Sequence, residues 1–165
     1  MDADSPASEV SPYSCFDEAL RARHRVERLV GVDEAGRGPL AGPVVAAAVI
    51  LPGRPPAALA GVRDSKQLSP RRREALFDSI LASAVEVGVG WSIPAEIDER
   101  NILRATLAAM RRALDRLRVS DRDDLVVVDG DRRVPDLPYR QETLVSGDAR
   151  SLAVAAASIV AKVVR

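Results

Sequence analysis

The chain has 165 residues, enough for one domain with a sizeable core, and its single cysteine excludes an intrachain disulfide framework. It is 47% hydrophobic but only 3% aromatic, so aliphatic side chains must build that core. The 24 basic and 24 acidic residues cancel, which neither supports nor excludes a nucleic-acid partner. No apolar run reaches the ~18 residues of a membrane-spanning helix, and the polar start does not match a signal peptide. We therefore expect a cytoplasmic protein without a membrane interaction.

Strands and helices are mixed along the chain in the predicted order of elements. Residues 1–14 have no periodic pattern and are predicted to be a disordered tail. A short charged helix over 16–28 leads into a strand over 30–34. A second strand over 43–51 is wholly apolar, which is typical of a strand buried on both faces. A loop rich in Pro and Gly follows over 52–61.

The second half of the chain continues the mixture. The remaining predicted elements are a helix over 69–84, a strand over 85–93, a helix over 95–118, a strand over 125–128, a short strand over 144–145 and a helix over 151–165. Ser69 and Pro70 suit the N-cap and first position of their helix. The mixture predicts an α/β or α+β class around one central sheet, with no internal domain boundary.

Four carboxylates stand out because each follows an apolar run, or a glycine after one. They are Asp33, Glu34, Asp129 and Asp148. Oxygen-only ligands suit Mg²⁺ or Mn²⁺, and two such ions ~4 Å apart could activate a water and stabilise the leaving oxygen of a phosphodiester. Because adjacent strand residues point to opposite faces, Asp33 and Glu34 are expected to share a site only if the strand distorts there. The residues alone leave open that all four are solvated turn acids.

A glycine-rich turn follows the first acidic pair, with four glycines within residues 31–42, and its backbone N–H groups could approach a phosphate or sugar closely. It could equally be a tight hairpin. The turn is neither a P-loop nor a dinucleotide fingerprint, because no Gly-Lys-Ser/Thr follows and the next element is a strand. Lys66 either brings a cation near a phosphate or lies in an ordinary loop. Residues 71–73, three arginines, fit a solvated helix start better than a nucleic-acid patch. His24 and Cys15 lie outside every cluster, which argues against zinc.

Five segments, in this order, resemble the ribonuclease HII family. They are GVDEAGRGPLAGPVV at 31–45, DSKQLS at 64–69, VVDG at 127–130, GDA at 147–149 and AAASIVAKV at 155–163. The resemblance implies the ribonuclease H-like fold, a central mixed β-sheet flanked by helices. It also implies endonucleolytic cleavage of RNA in RNA–DNA hybrids and at ribonucleotides embedded in DNA. The product ends would be 5′-phosphate and 3′-hydroxyl.

The resemblance further implies a site. The four catalytic carboxylates of the family carry over to Asp33, Glu34, Asp129 and Asp148. The first three are the implied metal ligands, with Mn²⁺ or Mg²⁺ as cofactor in a two-metal-ion hydrolysis. Gly36, Arg37 and Gly38 match the family element whose backbone reads the ribose 2′-hydroxyl. Lys66 matches a family lysine near the scissile phosphate.

The chain also departs from the family pattern. Members continue beyond this point with a Gly-Tyr whose tyrosine stacks at the RNA–DNA junction, and with further helices; Tyr13 and Tyr139 do not match it. The last predicted helix has no stop signal, so we expect a catalytic domain over 15–165, truncated at the C-terminus and monomeric. Two alternatives stay open: a non-catalytic or inactive hybrid-binding fragment, and another enzyme on the same fold. The four carboxylates argue against the first, and the Gly-Arg-Gly turn beside Asp-Glu argues against the second.

Overall fold

The structure, a computed structural model, describes residues 11–38 and 42–165, which form one five-stranded sheet and five α-helices. The strands are β1 (Arg28–Ala35), β2 (Val44–Ile50), β3 (Glu86–Ser92), β4 (Asp124–Asp129) and β5 (Gln141–Leu144). The helices are α1 (Pro12–His24), α2 (Pro70–Ser83), α3 (Pro94–Arg100), α4 (Ile102–Leu114) and α5 (Leu152–Val164). Short 3₁₀ turns lie at Ala57–Leu59, Ser65–Gln67 and Gly147–Ala149.

The sheet is mixed and has the strand order β3-β2-β1-β4-β5. β1 pairs antiparallel with β2 and parallel with β4, and β5 lies parallel to β4 at the edge. Every residue of β2 is buried, as its unbroken apolar sequence predicts for a strand covered on both faces. The class predicted from the sequence, α/β with a central mixed sheet flanked by helices, is therefore confirmed.

Two helical layers cover the sheet. On one face α2 and α5 pack on Ala47 and Val49 of β2, and on the other face α4 packs on Ala46 and Ala48. The alternation follows from the period of two along a strand. The α5 helix is buried over ten of its thirteen residues, and most of these are small, so it lies close to the sheet. No helix in the described part of the chain is long and apolar enough to cross a membrane.

The prediction of one long helix over 95–118 is wrong, because the chain forms two helices, α3 and α4, in this region. Asn101 adopts a positive φ of 72° between α3 and α4, and its side chain accepts a hydrogen bond from the Arg104 N–H at the start of α4. The apolar spacing continues across this break, so the pattern alone gave no sign of it. The second helix ends at Leu114 rather than at residue 118.

The first helix also lies elsewhere than predicted. It runs from Pro12 to His24 instead of over 16–28, with Ser11 as N-cap and Arg25 ending it in the left-handed conformation. Residues 12–14, assigned to the tail from the sequence, are therefore helical, and residues 1–10 lie outside the described chain. A Ser-Pro pair marks the start of α2, and the same pair, Ser11 and Pro12, marks the start of α1. The last short strand, predicted at 144–145, is β5 and ends at Leu144.

Candidate active site

The ends of neighbouring strands place the predicted acids at one end of the sheet. β1 and β4 are parallel with Val32 opposite Val128, so Asp33 and Asp129 are the next residues on adjacent strands and share the face that α5 covers. Asp148 lies in the 3₁₀ turn between β5 and α5. The N–H of its neighbour Gly147 donates to Asp129 Oδ1 at 2.6 Å. Three segments far apart in sequence thus meet at this edge.

Asp33 and Glu34 are neighbours on a strand that keeps its register. β1 keeps its register with β2 through Asp33, Glu34 and Ala35, so the distortion expected from the sequence is absent. The Cβ atoms of the two acids point to opposite faces. Repulsion from Glu34 nevertheless contributes to the raised pKa of Asp33, so the two charges affect each other.

Burial and mutual repulsion raise the pKa values of Asp33, Glu34 and Asp129. Asp33 is only 4% exposed, and burial, followed by repulsion from Asp129 and Glu34, raises its pKa well above the usual range. Burial is also the largest cause of the raised pKa of Glu34, which the guanidinium of Arg37 partly offsets. The pKa of Asp129 is raised by burial and by Asp148, against the Gly147 N–H bond. Such a cluster favours any bound cation that relieves the repulsion.

Protein donors hold the carboxylates in this conformation. Asp33 Oδ1 accepts from the Glu34 N–H at 2.7 Å. The Arg37 guanidinium lies 3.3 Å from Glu34 Oε1, and Lys66 Nζ lies 3.1 Å from Asp148 Oδ2. Lys66, which the sequence left between a phosphate-site cation and an ordinary loop residue, therefore contacts the acidic cluster.

The loop that carries Lys66 is fixed by its own hydrogen bonds. Asp64 accepts from the Lys66 N–H at 2.9 Å, which caps the 3₁₀ turn. Arg73 donates to the carbonyl oxygens of Ser65 at 3.0 Å and Leu68 at 2.7 Å. Of the three arginines at 71–73, Arg73 therefore supports this loop, a role that the sequence did not indicate.

Sequence reasoning also missed two buried hydroxyl groups behind the acids. Ser65 Oγ and Ser158 Oγ lie 2.8 Å apart, and both residues are fully buried. The Ser158 hydroxyl also lowers the pKa of Asp33, against the larger effects of burial and repulsion. Residues 152–161 are otherwise all apolar, so a lone serine in a wholly buried helix was a signal that could have found it.

The glycine-rich turn begins where β1 ends. Gly36 and Gly42 adopt positive φ values of 106° and 98°, which explains the need for glycine at both positions. Arg37 and Gly38 of the predicted sugar-reading segment are exposed, whereas residues 39–41 of the glycine-rich turn lie outside the described chain. At the base of the turn, Arg165 Nε donates to the Pro43 carbonyl oxygen at 3.1 Å.

The fit of these residues to a metal ion rests on their chemistry. Within residues 11–38 and 42–165, no three His, Cys, Asp or Glu side chains come close enough together to hold a metal ion in this conformation. The donor set at the strand ends is nevertheless oxygen-only and crowded with negative charge, which suits Mg²⁺ or Mn²⁺. His24 lies elsewhere, with Nε2 2.6 Å from Glu142 Oε2, and Cys15 is exposed.

Comparison with known proteins identifies the family. The Ribonuclease HII family profile matches residues 30–165. A ribonuclease HII of Syntrophotalea carbinolica is 52% identical over 160 residues, which cover 97% of this chain and 73% of that protein. A ribonuclease HII of Maricaulis maris is 59% identical over 139 residues, 84% of this chain and 61% of that protein.

A solved structure is similar to this chain in fold as well as in sequence. The crystal structure of the ribonuclease H2 from Pyrococcus horikoshii OT3 superposes with a TM-score of 0.72 at 33% identity, over 84% of this chain and 72% of that chain. This chain therefore spans between about three fifths and three quarters of the length of these three proteins. The profile match over most of the chain and the identity to these relatives show that the chain belongs to the ribonuclease HII family.

Proposed function

We propose that this protein is a divalent-metal-dependent endonuclease that cleaves RNA in RNA–DNA hybrids and at ribonucleotides embedded in DNA. The products carry 5′-phosphate and 3′-hydroxyl ends. The observation that carries the proposal is the meeting of four acids at one end of the sheet, in a chain of the ribonuclease HII family. The raised pKa values of Asp33, Glu34 and Asp129, and the oxygen-only chemistry of the four acids, support a metal-assisted reaction on a phosphodiester.

Asp33, Glu34 and Asp129 are the residues that would hold Mn²⁺ or Mg²⁺. A bound divalent ion supplies Lewis acidity and a lowered pKa for the attacking water. The chain contributes the placement of the donors: two carboxylates on adjacent parallel strands, and a third beside the first. Their side chains must turn toward a common point, since no three converge to ligand distance in the described conformation.

Lys66 and Asp148 form the second part of the site. Their ion pair leaves Lys66 mostly exposed, with 68% of its side chain accessible, while only 4% of the Asp148 side chain is accessible. An exposed ammonium group beside the acids can meet an oxygen of the scissile phosphate. Asp148, buried and held by that cation, orients the ammonium. We assign Lys66 to substrate binding on this geometry.

The turn at Gly36-Arg37-Gly38 is proposed to recognise the sugar. It is exposed and directly follows the strand that carries Asp33 and Glu34. Backbone N–H groups at such a turn can donate to a ribose 2′-hydroxyl, the group that separates RNA from DNA. The proposed nucleic-acid partner is thus an RNA–DNA hybrid or a DNA duplex that contains ribonucleotides. We further propose that it acts as a monomer in the cytoplasm.

A second candidate is a hybrid-binding module that does not cleave. The observation that favours it is the absence of a preformed three-ligand metal cluster among the described residues. The two candidates differ in one property, because only the enzyme needs a divalent ion to change its substrate.

The test is a cleavage assay on a labelled DNA duplex that carries one ribonucleotide. The chain is incubated with Mn²⁺ or Mg²⁺, beside an EDTA control and an all-DNA duplex. We expect a nick 5′ to the ribonucleotide that requires the ion, and no cut in the all-DNA duplex. Binding without a nick at any ion concentration would support the second candidate, and cutting of the all-DNA duplex would overturn the proposed specificity.

A further inference from the structure

We propose that the buried Ser65–Ser158 hydroxyl pair is a positioning relay that orients the Asp33 carboxylate and ties it to the loop carrying Lys66. The two hydroxyl oxygens lie 2.8 Å apart and both residues are fully buried, although 93 positions separate them in the chain. The inference rests on the proposed function, because it assigns these serines a role in the same site. Neither residue touches the reacting atoms; both act through Asp33.

The packing of α5 on β1 brings Ser158 level with Asp33. A Cβ added to Gly31 would meet the Ala153 backbone, and one added to Gly36 would meet the Arg165 side chain, so the strand and helix run in the same direction. From Gly31 to Asp33 the strand advances about 7 Å, the rise of between four and five helical residues. Counting that many from Ala153 reaches residues 157–158. Gly31 and Asp33 point to the same face, so Asp33 faces α5 at the height of Ser158.

Counting hydrogens gives the relay a direction. Each hydroxyl carries one hydrogen, and an ionised carboxylate only accepts. In the proposed relay Ser158 donates to the Asp33 carboxylate, so its hydrogen is used and the Ser65 hydroxyl must donate to Ser158 Oγ across the 2.8 Å contact. Ser65 thereby stops Ser158 from turning toward another acceptor, and Ser158 fixes one orientation of Asp33. In a site this deeply buried, each hydroxyl without a partner would be costly.

The other end of the relay is anchored in the Lys66 loop. Ser65 begins the 3₁₀ turn, and Arg73 holds its carbonyl oxygen at 3.0 Å. The next residue, Lys66, pairs with Asp148. The relay therefore joins Asp33, on the central strand, to the cation that holds Asp148, so that the acids at the two sides of the cluster keep a constant spacing.

The test compares three alanine variants. Ser158→Ala removes the donor to Asp33, and Ser65→Ala removes only the hydroxyl that orders Ser158. The matched control is Ser92→Ala on the opposite face of the sheet, where a fully buried serine hydroxyl donates to the Ala105 carbonyl oxygen at 2.8 Å. All three lose one buried hydroxyl, so a general loss of stability affects them alike.

The readouts are the cleavage parameters kcat and KM, the Mn²⁺ affinity from calorimetry, and crystal structures. For Ser158→Ala we expect kcat and Mn²⁺ affinity each to fall about tenfold, as is typical when the partner of a ligand is removed, with little change in KM. In Ser65→Ala, kcat and Mn²⁺ affinity should fall by a smaller factor. In Ser92→Ala, both should keep the values of the unsubstituted chain. Crystals of Ser158→Ala should show the Asp33 carboxylate turned from its original orientation.

The outcomes separate the relay from the proposed function. If Ser158→Ala matches Ser92→Ala in kcat and Mn²⁺ affinity, the relay is overturned while the enzyme assignment stands. If the unsubstituted chain neither binds Mn²⁺ nor cleaves, the proposed function fails. The crystal structures then decide the relay alone, and an Asp33 carboxylate in the same orientation in Ser158→Ala overturns it.

Discussion

Replacing Gly31 with alanine tests whether the contact between β1 and α5 sets the geometry of the acidic cluster. The added Cβ would lie 2.1 Å from the Ala153 carbonyl carbon and 2.4 Å from the Val154 nitrogen, where ordinary contact begins at 3.4 Å. Both are backbone atoms and cannot rotate away. The helix must therefore move outward by about 1.3 Å, the difference between ordinary contact and the built distance.

The displacement has two separable consequences. Forcing an extra methyl group into a packed interior costs about 1–3 kcal/mol, and we expect the upper end because backbone must move. For a chain of this length that corresponds to a fall in Tm of about 6–12 °C. A shift of about 1 Å between catalytic groups can lower the cleavage rate about a hundredfold. Thermal unfolding by circular dichroism and single-turnover cleavage measure the two effects.

Gly88→Ala is the matched control. Its added Cβ would lie 2.2 Å from the Ala113 carbonyl oxygen on α4, on the opposite face of the sheet, so stability should fall similarly. Gly53→Ala, which meets no atom within 4 Å, provides the baseline. Only Gly31→Ala should lose cleavage per folded molecule. The reasoning is refuted if Gly31→Ala is as stable as Gly53→Ala, or if Gly88→Ala loses as much cleavage activity.

Three further changes probe the charges. Asp33→Asn should stabilise the protein at pH 7. The pKa of Asp33 is raised in the folded state, so the unsubstituted protein loses stability as the pH rises from about 4 through that raised value, and asparagine removes this loss. Urea unfolding should show the gain vanish near pH 4; an equal gain at both pH values would contradict the shift. Lys66→Met should lower cleavage at least about tenfold, because the exposed ammonium group beside the acids is proposed to meet the scissile phosphate; unchanged cleavage would remove it from the site. Arg28→Met should cost about 3–5 kcal/mol in urea unfolding, because it strands the fully buried Asp124, which Arg28 contacts at 2.7 Å through two nitrogens. Cleavage per folded molecule should not change in that variant, and a loss would place the ion pair in the catalytic machinery.

Local patterns in the sequence were enough to predict much of the fold. The unbroken apolar run of β2 indicated a strand covered on both faces, and Ser69 with Pro70 marked the start of α2 where the structure has it. The break at Asn101 was missed because apolar residues recur at helical spacing on both sides of it. A positive φ is a property of backbone conformation, and asparagine only permits it.

The sequence could predict which acids lie together at one end of the sheet, but not which groups support them. Asp33, Asp129 and Asp148 each follow an apolar run or a glycine, which is a local signal. The Ser65–Ser158 hydrogen bond joins residues from opposite halves of the chain, and nothing near either serine indicates the other.

The most direct test of the central claim measures cleavage of a labelled RNA–DNA hybrid against Mn²⁺ concentration for the unsubstituted chain and for Asp129→Asn. The asparagine keeps an acceptor for the Gly147 N–H, which bonds to Asp129 Oδ1 in the present structure, so the local fold should survive. The account predicts ion-dependent cleavage that leaves 5′-phosphate ends in the unsubstituted chain, and no cleavage by folded Asp129→Asn. Cleavage that persists in EDTA, or that survives in Asp129→Asn, would contradict it.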